Sequence, residues 1–534
     1  MTADMDPFAD PTGGAPYRIW VGVTGHRKLG DLERLSLEIE RILERIRRMA
    51  PSAPTTPVRL GIVSPLAEGA DRLVARAVLR DYDGALEAAL PMAPDDYAKD
   101  FTTDASRQEF FSLLDQARMI AVTPSTDNRE EAYAQVGQYV VERCDVLVAL
   151  WDGLPPRGVG GTADIVALAR EQEVPLFLVD TGDSSAHTLH QEGGGLPERD
   201  FLEFDAFNRA KLAPEAFASE VGRITDHLLE RGSQAGLDRA AVQPYLAWSV
   251  PHLVRADLLA RWHQRRYLQL GNLLFGIAFL AVAIAAVQSL FPTDRWLVLV
   301  EALLMVVLLM TVVYGRRRRL HARWISYRRL AERFRIALFQ GVCALGQNRL
   351  VGWERIDIDP SRDWGRRLFE EAWITRPLEA KATLDFVALR QFLVRAWLED
   401  QLDYHDRTRR RNERRERRLS RAIAPLFGLT LAVALARAFQ LVGSGGQNVL
   451  LLLSTITPAL ATALSGIRAQ REYLQQAESS RQMANQLKVL RRRMRVAPDL
   501  ASLQAITNTT GMLMVDENRD WYATMRPHDF EVQL

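Results

Sequence analysis

Apolar residues follow two contrasting patterns along this chain. Up to about residue 180 short apolar runs alternate with longer stretches of helical periodicity, whereas beyond residue 270 the apolar runs are much longer. The short runs have the length expected of buried strands. They are Arg18–Thr24, Val58–Val63, Leu86–Pro91, Met119–Thr123, Asp145–Trp151 and Val174–Val179, with helices predicted at 31–50, 68–80, 95–116, 130–143 and 162–172. This alternation predicts an α/β domain with a doubly wound parallel sheet.

The long apolar runs come in two pairs. Their predicted bounds are 271–291 and 296–314 for the first pair, and 422–442 and 448–467 for the second. Each run has about 20 residues, which is the length that a helix needs to cross the hydrocarbon core of a bilayer. The second half of the chain is therefore predicted to be an all-α transmembrane region with two helical hairpins.

Arginines cluster on the outer flanks of both pairs and are nearly absent from the turns within them. The clusters lie at 265–266, 316–319, 417–421 and 468–471. By the positive-inside rule, both turns face outwards and both chain termini lie in the cytosol. Each pair also follows a polar helix with tryptophan and precedes a basic amphipathic helix, so the pattern indicates an internal repeat of one helix, hairpin, helix unit.

Two charged residues fall within the apolar runs, where a charge is costly. Glu301 and Arg437 lie at similar depths, near the outer ends of their spans. One hypothesis is that they form an ion pair between the hairpins. The alternative is that each side chain extends separately to the outer interface.

The remaining composition argues against several kinds of site. Cys144 and Cys343 are far apart and belong to no Cys/His cluster, so neither a disulfide framework nor a metal centre is predicted. The sequence has no P-loop, no HExxH motif and no Ser/His/Asp arrangement, and no resident cofactor is expected. The arginine-rich stretch Asp406–Arg418 contains glutamates and adjoins an apolar span. Its expected partner is therefore the anionic lipid of the bilayer, and not nucleic acid.

Glycines and polar residues follow three of the predicted strands. The first strand leads into GVTGHRKLG, where Gly25 permits a tight turn and His26 and Arg27 offer polar or cationic side chains to a phosphate. The second strand leads into SPLAEGADRL, where Gly69 opens a helix whose first turn contains Asp71 and Arg72. For Asp71, contact with a ligand and capping of the helix are both open.

The fifth strand leads into WDGLPPRGVGGTADIV, a glycine-rich loop before a helix that begins near Thr162. The amides at the start of such a helix bind anions. Because the carboxyl ends of parallel strands share one edge, the three loops predict a single site for a phosphate-bearing nucleotide. Its predicted residues are Thr24, Gly25, His26, Arg27, Ser64, Gly69, Asp71, Arg72, Trp151, Asp152, Gly160, Gly161 and Thr162.

These segments resemble a known superfamily. GVTGHR, EGADRL, LPMAPDDYAKDF and CDVLVALWDG with RGVGGTADIV are similar in content and order to the SLOG superfamily, the Rossmann-like group that includes the Lonely Guy and DprA/Smf proteins. The resemblance covers about residues 17–180. The two hairpins, with YRRLAERFR and ENRDWY in their polar helices, resemble the SLATT two-helix membrane domains.

The resemblance implies a sensor and effector of a bacterial conflict or antiviral defence system. A nucleotide or nucleotide-derived signal binds the SLOG-like domain, and the hairpins form a pore or disrupt the plasma (inner) membrane. A homo-oligomer is expected, because a four-span subunit is thin for a pore. A purely structural membrane scaffold remains a further alternative.

A membrane-tethered enzyme of the Lonely Guy type, which hydrolyses an N-glycosidic bond, is the main alternative. The family's chemistry depends on a glutamate in a PGGxGTxxE loop. Gly161 and Thr162 match its GT, but Ile165 occupies the position of the glutamate and Asp164 comes one residue earlier. Catalytic residues are therefore unassigned, with Glu68, Asp71 and Asp152 as other carboxylates near the loops.

Together these arguments divide the chain into six segments. They are a disordered N-terminus (1–16), the SLOG-like domain (17–180), a linker with accessory helices (181–250), the first hairpin with its flanking helices (251–345), a connector (346–385) and the second hairpin with its flanking helices (386–534).

Overall fold

A computed structural model describes residues 14–51, 53–123, 128–155, 160–181, 190–196, 198–290, 295–344, 363–377 and 385–525. The chain forms two compact units. One consists of Met1–Pro214 with Ala344–Lys381, and the other of Glu215–Cys343 with Ala382–Leu534. The predicted disordered N-terminus up to residue 13, the glycine-rich loop at 156–159 and the turn of the first hairpin at 291–294 lie outside the described residues.

The first unit is built on a seven-stranded sheet in the order β4-β3-β2-β1-β5-β6-β7. The strands are β1 (Tyr17–Gly25), β2 (Val58–Ser64), β3 (Ala85–Leu90), β4 (Met119–Val122), β5 (Val146–Trp151), β6 (Leu176–Asp180) and β7 (His190–Glu192). β1 to β6 pair in parallel, and β7 joins β6 in antiparallel orientation. The predicted doubly wound α/β sheet is confirmed, while the short β7 lies in the predicted linker with accessory helices (181–250), where no strand was predicted.

Helices connect the strands and then make up most of the remaining described residues. They are α1 (Leu32–Arg47), α2 (Ala70–Asp81), α3 (Pro94–Tyr97), α4 (Asp104–Gln116), α5 (Arg129–Arg143), α6 (Thr162–Glu171), α7 (Glu198–Arg209), α8 (Pro214–Gln234), α9 (Arg239–Gln288), α10 (Arg295–Arg318), α11 (Leu320–Ala344), α12 (Trp364–Ile374), α13 (Phe386–Phe392), α14 (Asp400–Ala438), α15 (Ser444–Arg471), α16 (Tyr473–Arg495) and α17 (Leu500–Met525). Several begin at a side-chain cap, such as Asp31 at α1 and Asn128 at α5.

Helix α12 lies far along the chain, between the two hairpins, yet it belongs to the α/β unit. It packs against the amino-terminal edge of the sheet through buried ion pairs. Arg367 makes two hydrogen bonds of 2.6 Å to Asp145, which precedes β5. Glu371 accepts two of 2.8 Å from Arg18 of β1. These side chains are less than a tenth exposed, so the connector supplies part of the domain's core.

The second unit is entirely helical in its described residues and contains four helices that are long and apolar enough to cross a membrane. Each of these helices contains most of one predicted span. In this unit α9 packs against α10 and α15, and α14 packs against α15 and α16. Most of the apolar surface of these spans is unburied within the unit. The predicted all-α region with two hairpins is thus confirmed.

The two hairpins share a backbone feature that supports an internal repeat. Arg319 separates α10 from α11, and Glu472 separates α15 from α16. Both residues have left-handed backbone conformations, with φ of 49° and 46°, which non-glycine residues rarely adopt. In each repeat the chain therefore breaks at the same point, between the returning span and the basic helix.

The predicted pairing of Glu301 with Arg437 is absent from the described residues. Arg437 instead donates a 2.8 Å hydrogen bond to Ser454 in its own hairpin. It also lies in the last turn of α14, where a positive charge interacts favourably with the helix dipole. These two interactions account for the arginine without an acidic partner.

Candidate functional site

A cavity of about 440 Å³ opens at the carboxyl edge of the sheet, beside the ends of β1 and β5. Strand order reverses between these two strands, so the connections that follow them diverge and leave a crevice. Most of the predicted site residues line this cavity: Thr24, Gly25, His26, Arg27, Asp71, Trp151, Asp152, Gly160, Gly161 and Thr162. The structure thus brings the three predicted loops together.

The loop after β1 is held firmly against α2. A Cβ atom added to Gly25 would lie 2.6 Å from the Cβ of Ala70 and 2.7 Å from the carbonyl oxygen of Leu150, so this position has room only for glycine. The His26 amide donates to Leu150 O at 3.2 Å, and the Ala70 amide donates to His26 O at 3.2 Å. The side chains of His26 and Arg27 are therefore carried by a fixed backbone.

His26 and Asp152 meet across the β1 and β5 ends. The His26 Nε2 atom accepts a hydrogen bond from the Asp152 amide at 3.2 Å and lies 3.1 Å from the carboxylate oxygen Oδ1 of the same residue. A neutral ring accepts from the amide, whereas a protonated ring pairs with the carboxylate. Trp151 is fixed beside them, because its indole donates to Leu154 O at 3.0 Å.

Arg27 is an exposed cation at the cavity. Its guanidinium carbon lies 5.7 Å from the ring centre of Tyr133 on α5. Within the described part of the chain it makes no ion pair and no hydrogen bond. Arginine without an acidic partner beside a cavity is suited to binding a phosphate or carboxylate group.

The start of α6 forms another wall. Gly160 has a φ of 77°, and an added Cβ would lie 2.8 Å from the backbone N and Cα of Ala134. The Gly160 amide donates to the carboxylate of Asp164 at 3.0 Å. The helix begins at Thr162 without a side-chain cap, and the Asp164 amide donates to Gly161 O at 3.0 Å. In the described part of the chain the amides of Thr162 and Ala163 have no acceptor and are available to an anion.

Three predicted residues do not line the cavity. Ser64 is fully buried and its hydroxyl accepts from the Leu66 amide at 3.1 Å. Gly69 has a φ of 83° and faces the carbonyl oxygens of the loop after β1. Arg72 turns towards α4, where it donates to Ser106 at 3.0 Å. These three residues support the backbone of the loops and do not line the cavity.

Asp71 does line the cavity, with only 5% of the residue exposed. Its carboxylate oxygen Oδ2 accepts a 3.2 Å hydrogen bond from the Ala67 amide. Burial raises the pKa of this carboxyl to about 7, although the Ala67 amide, Arg27 and Arg72 act in the opposite direction. The Asp71 side chain therefore does not cap α2, which begins after Gly69 without a side-chain cap, and its contact with a ligand stays a prediction.

The second hairpin belongs to the second unit. α14 and α15 run as an antiparallel pair joined by a 2.8 Å hydrogen bond between Thr430 and Thr457, and α16 folds back along α14. Residues 394–521 match the family of SMODS and SLOG-associating 2TM effector domain 1. Comparison with curated proteins gives no match.

The match covers the second hairpin and its polar helices, so this segment is similar to the SLATT-type 2TM effector domains. Together with four long apolar helices it indicates a membrane protein. The parallel sheet of the first unit is consistent with a Rossmann-like SLOG fusion.

The position of the Lonely Guy glutamate has no carboxylate in this chain. Ile165 is buried and packs against Gly137 of α5. Asp164 holds the Gly160 amide and is not among the cavity-lining residues. Glu68 is turned away and accepts from the Ser106 hydroxyl. Asp71 and Asp152 are thus the carboxylates that face the cavity in the described residues.

The sequence reasoning missed the part of the wall that comes from helices. Tyr97 of α3 and Tyr133, Val136, Gly137 and Val140 of α5 line the cavity. Tyr97 lies in a segment that follows a predicted strand, and this was the available signal. The α5 residues lie within a helix that crosses back over the sheet, so no local motif indicates them.

Proposed function

We propose that this protein is a nucleotide-responsive membrane effector. The α/β unit binds a nucleotide or nucleotide-derived signal in the carboxyl-edge cavity, and the hairpins then permeabilise or disrupt the bilayer. The observation that carries this proposal is the convergence of Arg27, His26 and the uncapped start of α6 on one cavity. The match of residues 394–521 to a membrane effector domain supports the proposed action of the hairpins on the bilayer.

The proposal includes an orientation and an assembly. The arginine clusters flanking the spans favour a multi-pass protein of the plasma (inner) membrane with both termini in the cytosol. Much of the span surface is apolar and unburied within the unit, as at Leu299, Leu309 and Met310 of α10. This surface is suited to contact lipid and further copies of the chain, and we propose a homo-oligomer.

A membrane-tethered nucleotide hydrolase is the second candidate. Asp71 and Asp152 favour it, because both place carboxyl groups in the cavity. The buried Ile165 disfavours it, because the Lonely Guy reaction uses a glutamate there. Ligand sensing therefore ranks first, as it requires only the anion-binding groups.

The test uses the full-length protein in liposomes and measures nucleotide binding, dye leakage and products by chromatography. For the sensor we expect a nucleotide from a panel of mono-, di- and cyclic nucleotides to bind and to change leakage. Arg27→Ala should weaken binding by about 10- to 100-fold, the equivalent of one charge-assisted hydrogen bond.

Lys28→Ala is the matched control, because Lys28 is a neighbouring exposed cation that does not line the cavity. It should leave binding unchanged. Release of free base would favour the hydrolase. Leakage that no bound nucleotide alters, or equal losses in the two variants, would contradict the sensor proposal.

A further inference from the structure

The carboxyl group of Asp71 is unusual among the buried charges of the α/β unit. It is placed in the wall of the cavity, at the second position of α2, with only 5% of the residue exposed. Among the described residues its carboxyl makes one hydrogen bond, the one it accepts from the Ala67 amide. A carboxylate removed from water needs more compensation than a single amide provides.

The neighbouring cations supply only part of that compensation. Arg72 donates from Nε to Leu66 O at 3.0 Å and from Nη1 to Glu109 at 3.0 Å, and its guanidinium stacks 4.5 Å from the ring centre of Phe101. Arg27 interacts with Asp71 through space, yet makes no ion pair with it. From α3, the buried phenol of Tyr97 faces the same region. The neutral form of Asp71 is therefore the form that burial favours near neutral pH.

A neutral carboxylic acid differs from a carboxylate in the chemistry that it offers to a ligand. The ionised group only accepts hydrogen bonds, whereas the protonated group also donates one through its O–H. In the Asp71 carboxyl one oxygen is engaged by Ala67, and the rest of the group belongs to the cavity wall. It can therefore present a proton to a ligand.

We infer that Asp71 is a specificity-determining residue that, as a neutral acid, donates a hydrogen bond to an acceptor atom of the bound nucleotide. The acceptor is an unprotonated ring nitrogen or a carbonyl oxygen. This inference rests on the proposed nucleotide binding. It adds that the site binds the nucleotide when the Asp71 carboxyl is protonated. A ligand that offers only donors at this point is rejected, because it leaves the buried O–H unpaired.

The experiment measures nucleotide affinity of the full-length protein in nanodiscs between pH 6.5 and 8.5, with AMP, GMP, CMP and UMP as probes. This range lies above the second pKa of a phosphate monoester, which is about 6. We compare the affinities of the natural chain for the probe that binds most tightly. This affinity should fall by about tenfold per pH unit once the pH is above the pKa of the Asp71 carboxyl.

Asp71→Asn keeps the shape and a donor group, so its affinity should be close to the natural value at pH 6.5 and flat across the range. Asp71→Leu should bind at least tenfold more weakly at every pH, because the donor is lost. The same slope should persist in a His26→Gln background, which separates the role of Asp71 from any contribution of the neighbouring imidazole. A thermal melt of each variant reports whether it is folded.

The failures are distinguishable. If a probe binds but the affinity of the natural chain is independent of pH, or if Asp71→Asn loses affinity as Asp71→Leu does, the neutral-donor role is wrong and nucleotide binding stands. If no probe binds the folded protein at any pH, the proposed function is overturned together with this inference.

Discussion

Two aspartates at opposite edges of one sheet show how differently this domain treats its buried charges. Asp145 and Asp71 are each 5% exposed. At the amino edge, Asp145 accepts two hydrogen bonds of 2.6 Å from Arg367 and one of 2.9 Å from the Trp20 amide. At the carboxyl edge, Asp71 accepts one from an amide at 3.2 Å.

The amino edge of the sheet therefore has a structural role, whereas the carboxyl edge is the candidate binding site. Paired charges hold α12 on the sheet, and breaking one pair leaves a buried ion without a partner. At the other edge the Asp71 carboxyl accepts a single hydrogen bond among the described residues, a condition that a bound ligand would complete. Substitutions at the two edges should therefore change the stability of the protein in opposite directions or by different amounts.

The largest effect is expected at the amino edge. Arg367→Ala should lower the free energy of opening of β1 and β5 by about 3 to 5 kcal/mol, since it removes the two charge-assisted hydrogen bonds that the buried Asp145 carboxylate accepts from the guanidinium. Amide hydrogen exchange of the full-length protein in nanodiscs measures this. Arg170→Ala is the control, because Arg170 pairs with Glu192 through two similar hydrogen bonds at the surface. The control should cost less than about 1 kcal/mol, and equal losses would show that burial of the pair is unimportant.

At the carboxyl edge the corresponding change should stabilise the protein. Burial raises the pKa of Asp71 from 3.8 to about 7. The unfolded chain therefore ionises first as the pH rises, and the folded state loses stability between about pH 4 and pH 7. Asp71→Asn removes this loss, on the order of 2 to 4 kcal/mol at pH 8, and has little effect near pH 4.

Calorimetry at pH 4.5 and pH 8 measures the difference in Tm between this variant and the natural chain. Asp145→Asn serves as the opposite case. It should lower Tm at pH 8, because Arg367 then faces a neutral group in a buried position. Two asparagine variants that shift Tm in the same direction at pH 8 would contradict the contrast between the edges.

The sequence allowed the six parallel strands and the loops at the carboxyl edge of the sheet to be predicted, since each of these strands and each glycine turn has a local signal. It did not reveal α12. The charges of Arg367 and Glu371 resemble those of a solvated helix, and their partners Asp145 and Arg18 are more than two hundred residues away in the chain. Charge complementarity over such separations has no local pattern. Tyr133 was not assigned to the cavity, because it lies within α5 and no local motif indicates that it faces the site.

A smaller effect should come from the backbone that shapes the open edge. Gly160→Ala should destabilise the loop before α6 by about 1 to 3 kcal/mol, through its positive φ and the contact of the new Cβ with Ala134. Gly153→Ala is the matched control, since Gly153 has a φ of 75° and no atom within 4 Å of an added Cβ. Calorimetry and nucleotide titration of both variants separate backbone conformation from the steric contact. If the geometry of the α6 start matters for anion binding, only Gly160→Ala weakens nucleotide affinity. Equal affinities in the two variants would show that the start of α6 does not contribute to binding.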